Sequence, residues 1–423
     1  MTIFRWSPAP PEATPVQRKN FINVQIDAVG IGLANAAAPF LPVFLTRLGA
    51  SAFQVGLLTS MPALTGLIFA LLVGRFLQTR RNVVPWFSAA RLMVVSAYAL
   101  TGVVGFFVPR EYLIPAVLAI WALATLPQTV VAVAFSVVMN AVAGPALRYD
   151  LMSRRWSVLG LTTAITVALV GQVLDRINFP LNYQLVFLGL SVGGLISFYF
   201  SSHLTLPDVE PPPGTGEGSL RERFRGYFSL LLAEKDFMRF SLLRFVYLFA
   251  VTLATPIFPL YYVREVQASN SWIGVINTTQ TAILLVGYFI WTQGTRRRGS
   301  RFVLLATTLG MSFIPALIGS TLSVQLITIY AGLAGIFQAG LDLVFFDELM
   351  KTVPPQYSAT FVSLAQSMQY LSGIVSPLVG TALAGWIGLS GALMVSTGLR
   401  LVGFALFALV QGTRGVNVVK AGG

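Results

Sequence analysis

Seven polar side chains stand where a mostly apolar chain should tolerate few: Asp27, Gln128, Arg244, Thr255, Asn277, Gln338 and Asp342. Each falls within a hydrophobic run of about the 20 residues that cross a bilayer as a helix. Ionisable groups at that depth are costly, so by default they mark a path for a solute or an ion. Asp342 follows Gln338 by one helical turn, and Gln128 stands at equivalent depth in the first half of the chain. Two amides and a carboxylate can hydrogen-bond a polar group of a solute, or Asp342 can carry a proton. Asp27 shares a helix face with Gly30, Ile31 and Ala34. An internal repeat, set out below, brings Asp27 onto Arg244, so an acid and a base can face one another as an inward-side gate or a solute-orienting pair. Thr255 lies on the stripe Arg244, Tyr247, Val251, and Asn277 on the stripe that includes Thr281 and Tyr288. The competing reading is structural: amides and hydroxyls bond neighbouring helices, Arg244 snorkels to headgroups, and Asp27 caps a helix.

Composition removes most other chemistry. The chain has no Cys and a single His, which excludes disulfides and thiolate clusters and leaves no donor set for a His-based metal or acid–base centre. No phosphate-binding glycine loop with a following Lys-Ser/Thr is present. The chain is therefore expected to be no enzyme, with no cofactor and no metal. It is 55% hydrophobic and only 10% charged, with a mean hydropathy of +0.76. Soluble domains are about a quarter charged, so this composition belongs in lipid. The net charge of +13 then reflects a positive-inside bias rather than nucleic-acid binding.

The elements that must position these residues read as about twelve spans, an all-α polytopic membrane protein. They cover 21–46, 53–75, 84–108, 112–139, 156–175 and 181–204, then 239–263, 272–292, 302–320, 323–349, 359–387 and 391–412. Of 28 Lys and Arg residues, only Arg47, Arg110, Arg176 and Arg264 fall in turns on the side opposite the termini. Arg91, Arg244 and Arg400 lie within spans, and the rest sit on the side of the termini, which is therefore expected to be cytoplasmic. Arg91 is near enough to a span end to snorkel, whereas Arg400 needs a partner or water. Asp347, Glu348 and Lys351 read as an ion-pair network at the end of span 10.

The first half of the chain is written twice. Pro42 and Arg47 map to Pro259 and Arg264 at one offset, and Gly56 maps to Gly274 with one residue added. Pro127-Gln128 matches Phe337-Gln338, and Gly144-Pro145 matches Pro354-Pro355. Each half thus gives six spans: bundles over 19–204 and 237–413, a tail over 1–18 rich in proline, a linker over 205–236 and a second tail over 414–423. The linker contains Pro211-Pro-Pro-Gly-Thr-Gly-Glu-Gly218, and a capping box at Ser219–Glu222 opens a short amphipathic helix. Pro42 and Pro259 fall late in spans 1 and 7, where they are expected to bend the helices.

Twelve spans as 6+6, a charged middle linker and basic clusters after spans 2 and 8 resemble the major facilitator superfamily. The sharpest local likeness is Gly74-Arg-Phe-Leu-Gln-Thr-Arg80-Arg81, similar to that superfamily's loop between spans 2 and 3, but without its Asp. Gly294-Thr-Arg296-Arg297-Arg298 is its counterpart in the second half. The resemblance implies a fold of two six-helix pseudo-repeats, with conformational roles for Gly74, Arg80, Arg81, Arg296 and Arg297 beside Pro42 and Pro259. It implies a secondary transporter with a site between the halves, in a plasma or inner membrane, acting as a monomer on a small-molecule substrate, with a coupling proton as an option. An amphipathic or hydrophobic solute and efflux are favoured. A nutrient importer of the same fold and a non-transporting receptor or scaffold are the alternatives. Span 5 lacks the superfamily's antiporter signature, and a small-residue relative, Ser372-Gly-Ile-Val-Ser376-Pro377-Leu-Val-Gly380, lies in span 11.

Overall fold

The computed structural model describes residues 9–10, 12–78, 80–206, 234–352 and 358–420. Among these residues the regular elements are all α-helices. In order they are α1 (Pro15–Asn35), α2 (Phe40–Arg47), α3 (Ala52–Gln78), α4 (Val84–Val104), α5 (Arg110–Arg176) and α6 (Leu181–Ser202). The second half gives α7 (Lys235–Ala254), α8 (Ile257–Arg264), α9 (Asn270–Gly319), α10 (Val324–Thr352) and α11 (Ser358–Lys420). The linker helix expected from Ser219 lies outside the described residues.

Among the described residues, ten stretches are long and apolar enough to cross a bilayer. Two of them, Asn270–Gly319 and Ala365–Leu409, each hold a break, at Gly299 (φ 81°) and Gly388 (φ 79°). Counting both sides of each break gives twelve spans, and both glycines fall in the expected gaps between spans 8 and 9 and between spans 11 and 12. Only glycine adopts such a φ without strain, so these positions set the turns. Large apolar side chains face outward, among them Phe107, Leu123, Phe289 and Trp386, the last 84% exposed. That surface suits lipid and would be a liability in water. The protein is a multi-pass membrane protein.

The repeat is visible in the backbone. Span 1 breaks between α1 and α2 at Ala36–Pro39, and span 7 breaks between α7 and α8 at Thr255–Pro256. Pro39 and Pro256 are the caps of α2 and α8, and they stand at the same offset as Pro42 and Pro259. The expected bends therefore occur three residues earlier, because a proline removes a ladder donor and ends the helix before it. A second correction concerns the first tail. Pro15 is the first residue of α1, capped by Thr14 and Gln17 in a reciprocal box, so the helix starts inside the segment assigned to the tail.

Contacts divide the chain into two compact units. Unit 1 comprises Met1–Leu48, Thr65–Thr215 and Ser269–Gly274; unit 2 comprises Gly49–Leu64, Gly216–Ala268 and Val275–Gly423. In unit 1, α1 lies so close to α6 that a Cβ on Gly30 would meet Gly193 O at 2.6 Å, and the reverse substitution meets Gly30 O. Small residues permit this approach, which in lipid substitutes for the hydrophobic driving force between helices. In unit 2 the small-residue stripe of span 11 does the same work. Ser372 Oγ lies 3.2 Å from Thr252 Oγ1, Ser376 donates to Phe249 O, and Gly380 abuts Leu253 O on α7.

Candidate functional site

Five polar residues of unit 2, Arg244, Gln338, Asp342, Gln366 and Gln369, line one cavity of about 420 Å3. Helix α7 supplies Arg244, Leu248 and Val251; α10 supplies Gln338, Asp342 and Phe345; span 11 supplies Gln366 and Gln369. Helical periodicity explains the selection, since Gln338, Asp342 and Phe345 follow at spacings of four and three along one face. Asp342 accepts from Gln338 Nε2 at Oδ1 (2.7 Å) and from Tyr288 Oη at Oδ2 (3.1 Å), and both contacts are exposed. Arg244 donates from Nη2 to Gln369 Oε1 (3.1 Å), and its guanidinium carbon lies 5.8 Å from the centre of the Phe345 ring. Its Nε is buried without a partner among the described residues. Neither charge is paired with an opposite charge there: Arg244 is bound by a neutral amide, and Asp342 by an amide and a phenol.

The expected pairing of Asp27 with Arg244 is not what the chain builds. Asp27 is fully buried in unit 1, and its Oδ1 accepts from Arg91 Nη1 and from Ser197 Oγ (2.6 Å). The face of α1 that carries Asp27 and Gly30 is the face that packs on α6, so the carboxylate meets α4 and α6 inside its own bundle. Arg91 is correspondingly 4% exposed and stacks on Phe87 at 4.3 Å instead of snorkelling, because its counter-ion lies inward.

The remaining sequence candidates are dispersed. Gln128 is half-buried on α5 in unit 1. Thr255 caps the end of α7 at the break, and Asn277 is half-buried on α9; neither lines the cavity. Pro42 sits one turn into α2, where its carbonyl accepts from Thr46 Oγ1 (2.7 Å), and Pro259 is the third residue of α8. Gly74 has room: an added Cβ would meet only Val133 Cγ1, at 3.9 Å. Arg80 is exposed and lies over Phe76 at 4.3 Å and Trp86 at 5.3 Å. Arg81, Arg296 and Arg297 are exposed.

Three features were not legible beforehand. Arg400 is fully buried and donates to backbone carbonyls, Nη1 to Met311 O (2.9 Å), Nη2 to Val251 O (3.3 Å) and Nε to Ala250 O (3.5 Å). Arg155 is 3% exposed between the rings of Phe135 and Trp156. Asp175 caps the first turn of α9, Oδ1 accepting from Asn270 N and Oδ2 from Ser271 N, both at 2.9 Å. The expected ion-pair network is present: Lys351 Nζ lies 2.6 Å from Asp347 Oδ2 and 3.0 Å from Glu348 Oε1. Partial burial opposes its charge, but the two carboxylates prevail and hold the Lys351 ammonium above its ordinary value.

Residues 240–420 match the family model described as Major Facilitator Superfamily. The multidrug resistance protein MdtG of Serratia proteamaculans (strain 568) is 27% identical over 167 residues, 38% of this chain and 40% of that protein. The matched segment thus spans less than half of that relative's length. Among solved structures, a point mutant of the nucleoside transporter NupG aligns with a TM-score of 0.71 at 10% identity, covering 93% of this chain and 99% of that one. A bacterial homolog of the human lysosomal transporter Spinster, in an inward-facing and occupied conformation, gives a TM-score of 0.71 at 15% identity, covering 95% and 98%. At such identities the structural likeness speaks to the fold.

Proposed function

We propose that the chain is a secondary active transporter of the major facilitator superfamily, moving a small amphipathic or hydrophobic solute by alternating access, a reading supported by the match of residues 240–420 to that family's model. The observation that carries this reading is the unit 2 cavity, where Arg244, Gln338, Asp342, Gln366 and Gln369 meet an apolar wall. Its volume of about 420 Å3 suits a small organic solute. A bundle held together for structure alone would bury these polar groups against each other; here they face open space. Asp27 and Arg91 then act as an internal brace of unit 1 rather than as solute contacts. The two six-helix bundles begin at Pro15 and Lys235, with the linker between them. The protein sits in the plasma or inner membrane with both termini cytoplasmic, and works as a monomer.

Efflux is favoured by the similarity to a multidrug resistance protein over 38% of the chain. One observation favours the importer reading instead: the cavity carries three glutamines and a carboxylate, a lining suited to a polar nutrient.

Counterflow in proteoliposomes tests the proposal. Solutes that raise the melting temperature of the purified protein would be loaded unlabelled, with label added outside. A transporter gives a transient accumulation of label above equilibrium, abolished in Arg244→Gln. A receptor or scaffold gives binding with no overshoot.

A further inference from the structure

We propose that the unit 2 cavity selects amphipathic zwitterions, with the anionic end on Arg244 and the cationic end on Asp342. This rests on reading the cavity as the transported solute's site, and adds the chemical class of that solute.

The argument starts from two uncompensated charges of opposite sign in one cavity. Arg244 comes from α7 and Asp342 from α10, and among the described residues no ion pair joins them or gives either another partner of opposite charge. A guanidinium presents five N–H donors; Arg244 spends one on Gln369, and its Nε has no partner. The two terminal nitrogens keep further donors toward the cavity, and the edge they form matches a carboxylate in two parallel bonds. Asp342 presents the converse. A carboxylate offers about four acceptor positions, and Gln338 and Tyr288 each donate to one oxygen, leaving acceptor capacity on both.

Both charges are open to the cavity as it stands, but closing the cavity would take them from water without a counter-ion, which is costly. A solute with one charge would neutralise one of them and leave the other exposed or, on closure, buried and unpaired. A solute with both would neutralise both at once. Much of the remaining lining is apolar, Leu248, Val251, Phe345 and Phe346 among it, and takes a hydrophobic or aromatic body. Phe345 also stacks beneath Arg244, which keeps the guanidinium over the cavity. The cavity's preference is therefore set by a difference: the doubly matched solute gains two charge-assisted contacts where a singly matched one gains one and strands the other.

The test uses the full-length protein in detergent, with binding measured by calorimetry so that transport is not required. Probes are phenylalanine and tryptophan as zwitterions, their amides as cations and their N-acetyl derivatives as anions. For wild type, at least one zwitterion should bind about 10- to 100-fold tighter than both of its single-charge partners, the range expected for one charged hydrogen-bonded contact. Arg244→Gln should remove the advantage of the zwitterion over the amide, by weakening the zwitterion and by relieving the amide of a stranded like charge, so the amide binds at least as tightly as before. Asp342→Asn should remove the advantage over the N-acetyl compound, which should bind at least as tightly as before once the like charge is gone. Retained affinity for the single-charge partner shows that each variant is folded. If the amides or N-acetyl compounds bind wild type as tightly as the zwitterions, or if neither substitution changes the ratios, the inference is wrong. Selective binding without counterflow would overturn the transporter reading and keep this one; counterflow of singly charged solutes, indifferent to both substitutions, would do the reverse.

Discussion

Replacing Asp27 by Asn keeps the shape of the side chain and removes its charge, which isolates the electrostatics of the unit 1 brace. The two side chains are 1% and 4% exposed, so water screens them little. At an effective dielectric of about 20, unit charges about 4 Å apart attract by roughly 4 kcal/mol. Stranding one partner of a buried pair costs about 3–5 kcal/mol by experience with such pairs, in agreement with that figure. Arg91 has a consolation in the Phe87 ring at 4.3 Å and a 3.4 Å contact with Ser197 Oγ, which trims the loss by about 1 kcal/mol. Asp27→Asn and Arg91→Gln should therefore each destabilise the protein by about 2–4 kcal/mol. The double variant strands neither member of the pair and should recover most of the loss, the nearby buried Arg155 losing one repulsion and one attraction together. Unfolding followed by intrinsic tryptophan fluorescence in a fixed detergent closes this cycle. A double variant that loses the sum of the two singles would refute the claim that Asp27 and Arg91 act as one unit.

Further outcomes follow from other parts of the fold. Gly380→Val should destabilise by about 1–3 kcal/mol, because the new side chain must displace the α7 backbone at Leu253, whereas Gly385→Ala, with open space around it, should be neutral or stabilising by up to about 1 kcal/mol; thermal melts of both compare them directly. Arg400→Lys should cost about 1–3 kcal/mol in the same melts, since a single ammonium cannot serve carbonyls on both α7 and α9; a lysine variant as stable as wild type would contradict this. Asp175→Ala should cost about 1 kcal/mol and speed hydrogen exchange at the amides of residues 270 and 271, which lose their acceptors; unchanged exchange there would show that the cap is idle.

Much of the fold was written plainly. Hydropathy and the charge bias located the spans, and the gaps between spans 8 and 9 and between 11 and 12 each contain the glycine with positive φ that makes the turn. The repeat aligned Pro42 with Pro259, and the chain breaks at Pro39 and Pro256 in the same register. Gln338 and Asp342 could be placed together because they share one helix face. What could not be read was the rotation of one helix against another. The spans are apolar nearly all round, so their periodicity does not say which side faces inward. The repeat matched Asp27 to Arg244, yet the partner is Arg91, at a position the sequence marked as snorkelling. Gln366 and Gln369 line the cavity, yet nothing in the periodicity of their apolar span says which way they face. Arg400 gave no sign of its partners, because backbone carbonyls leave no trace in a sequence.

The chain has no native cysteine, so a single thiol can report on the cavity without any background. Gln366→Cys puts that thiol in the unit 2 lining. The measurement is its labelling by a membrane-impermeant maleimide in right-side-out and in inverted membrane vesicles. Alternating access predicts labelling from both sides, with the ratio shifting when a bound solute is added. Labelling from one side alone, whatever solute is present, would contradict the transporter account.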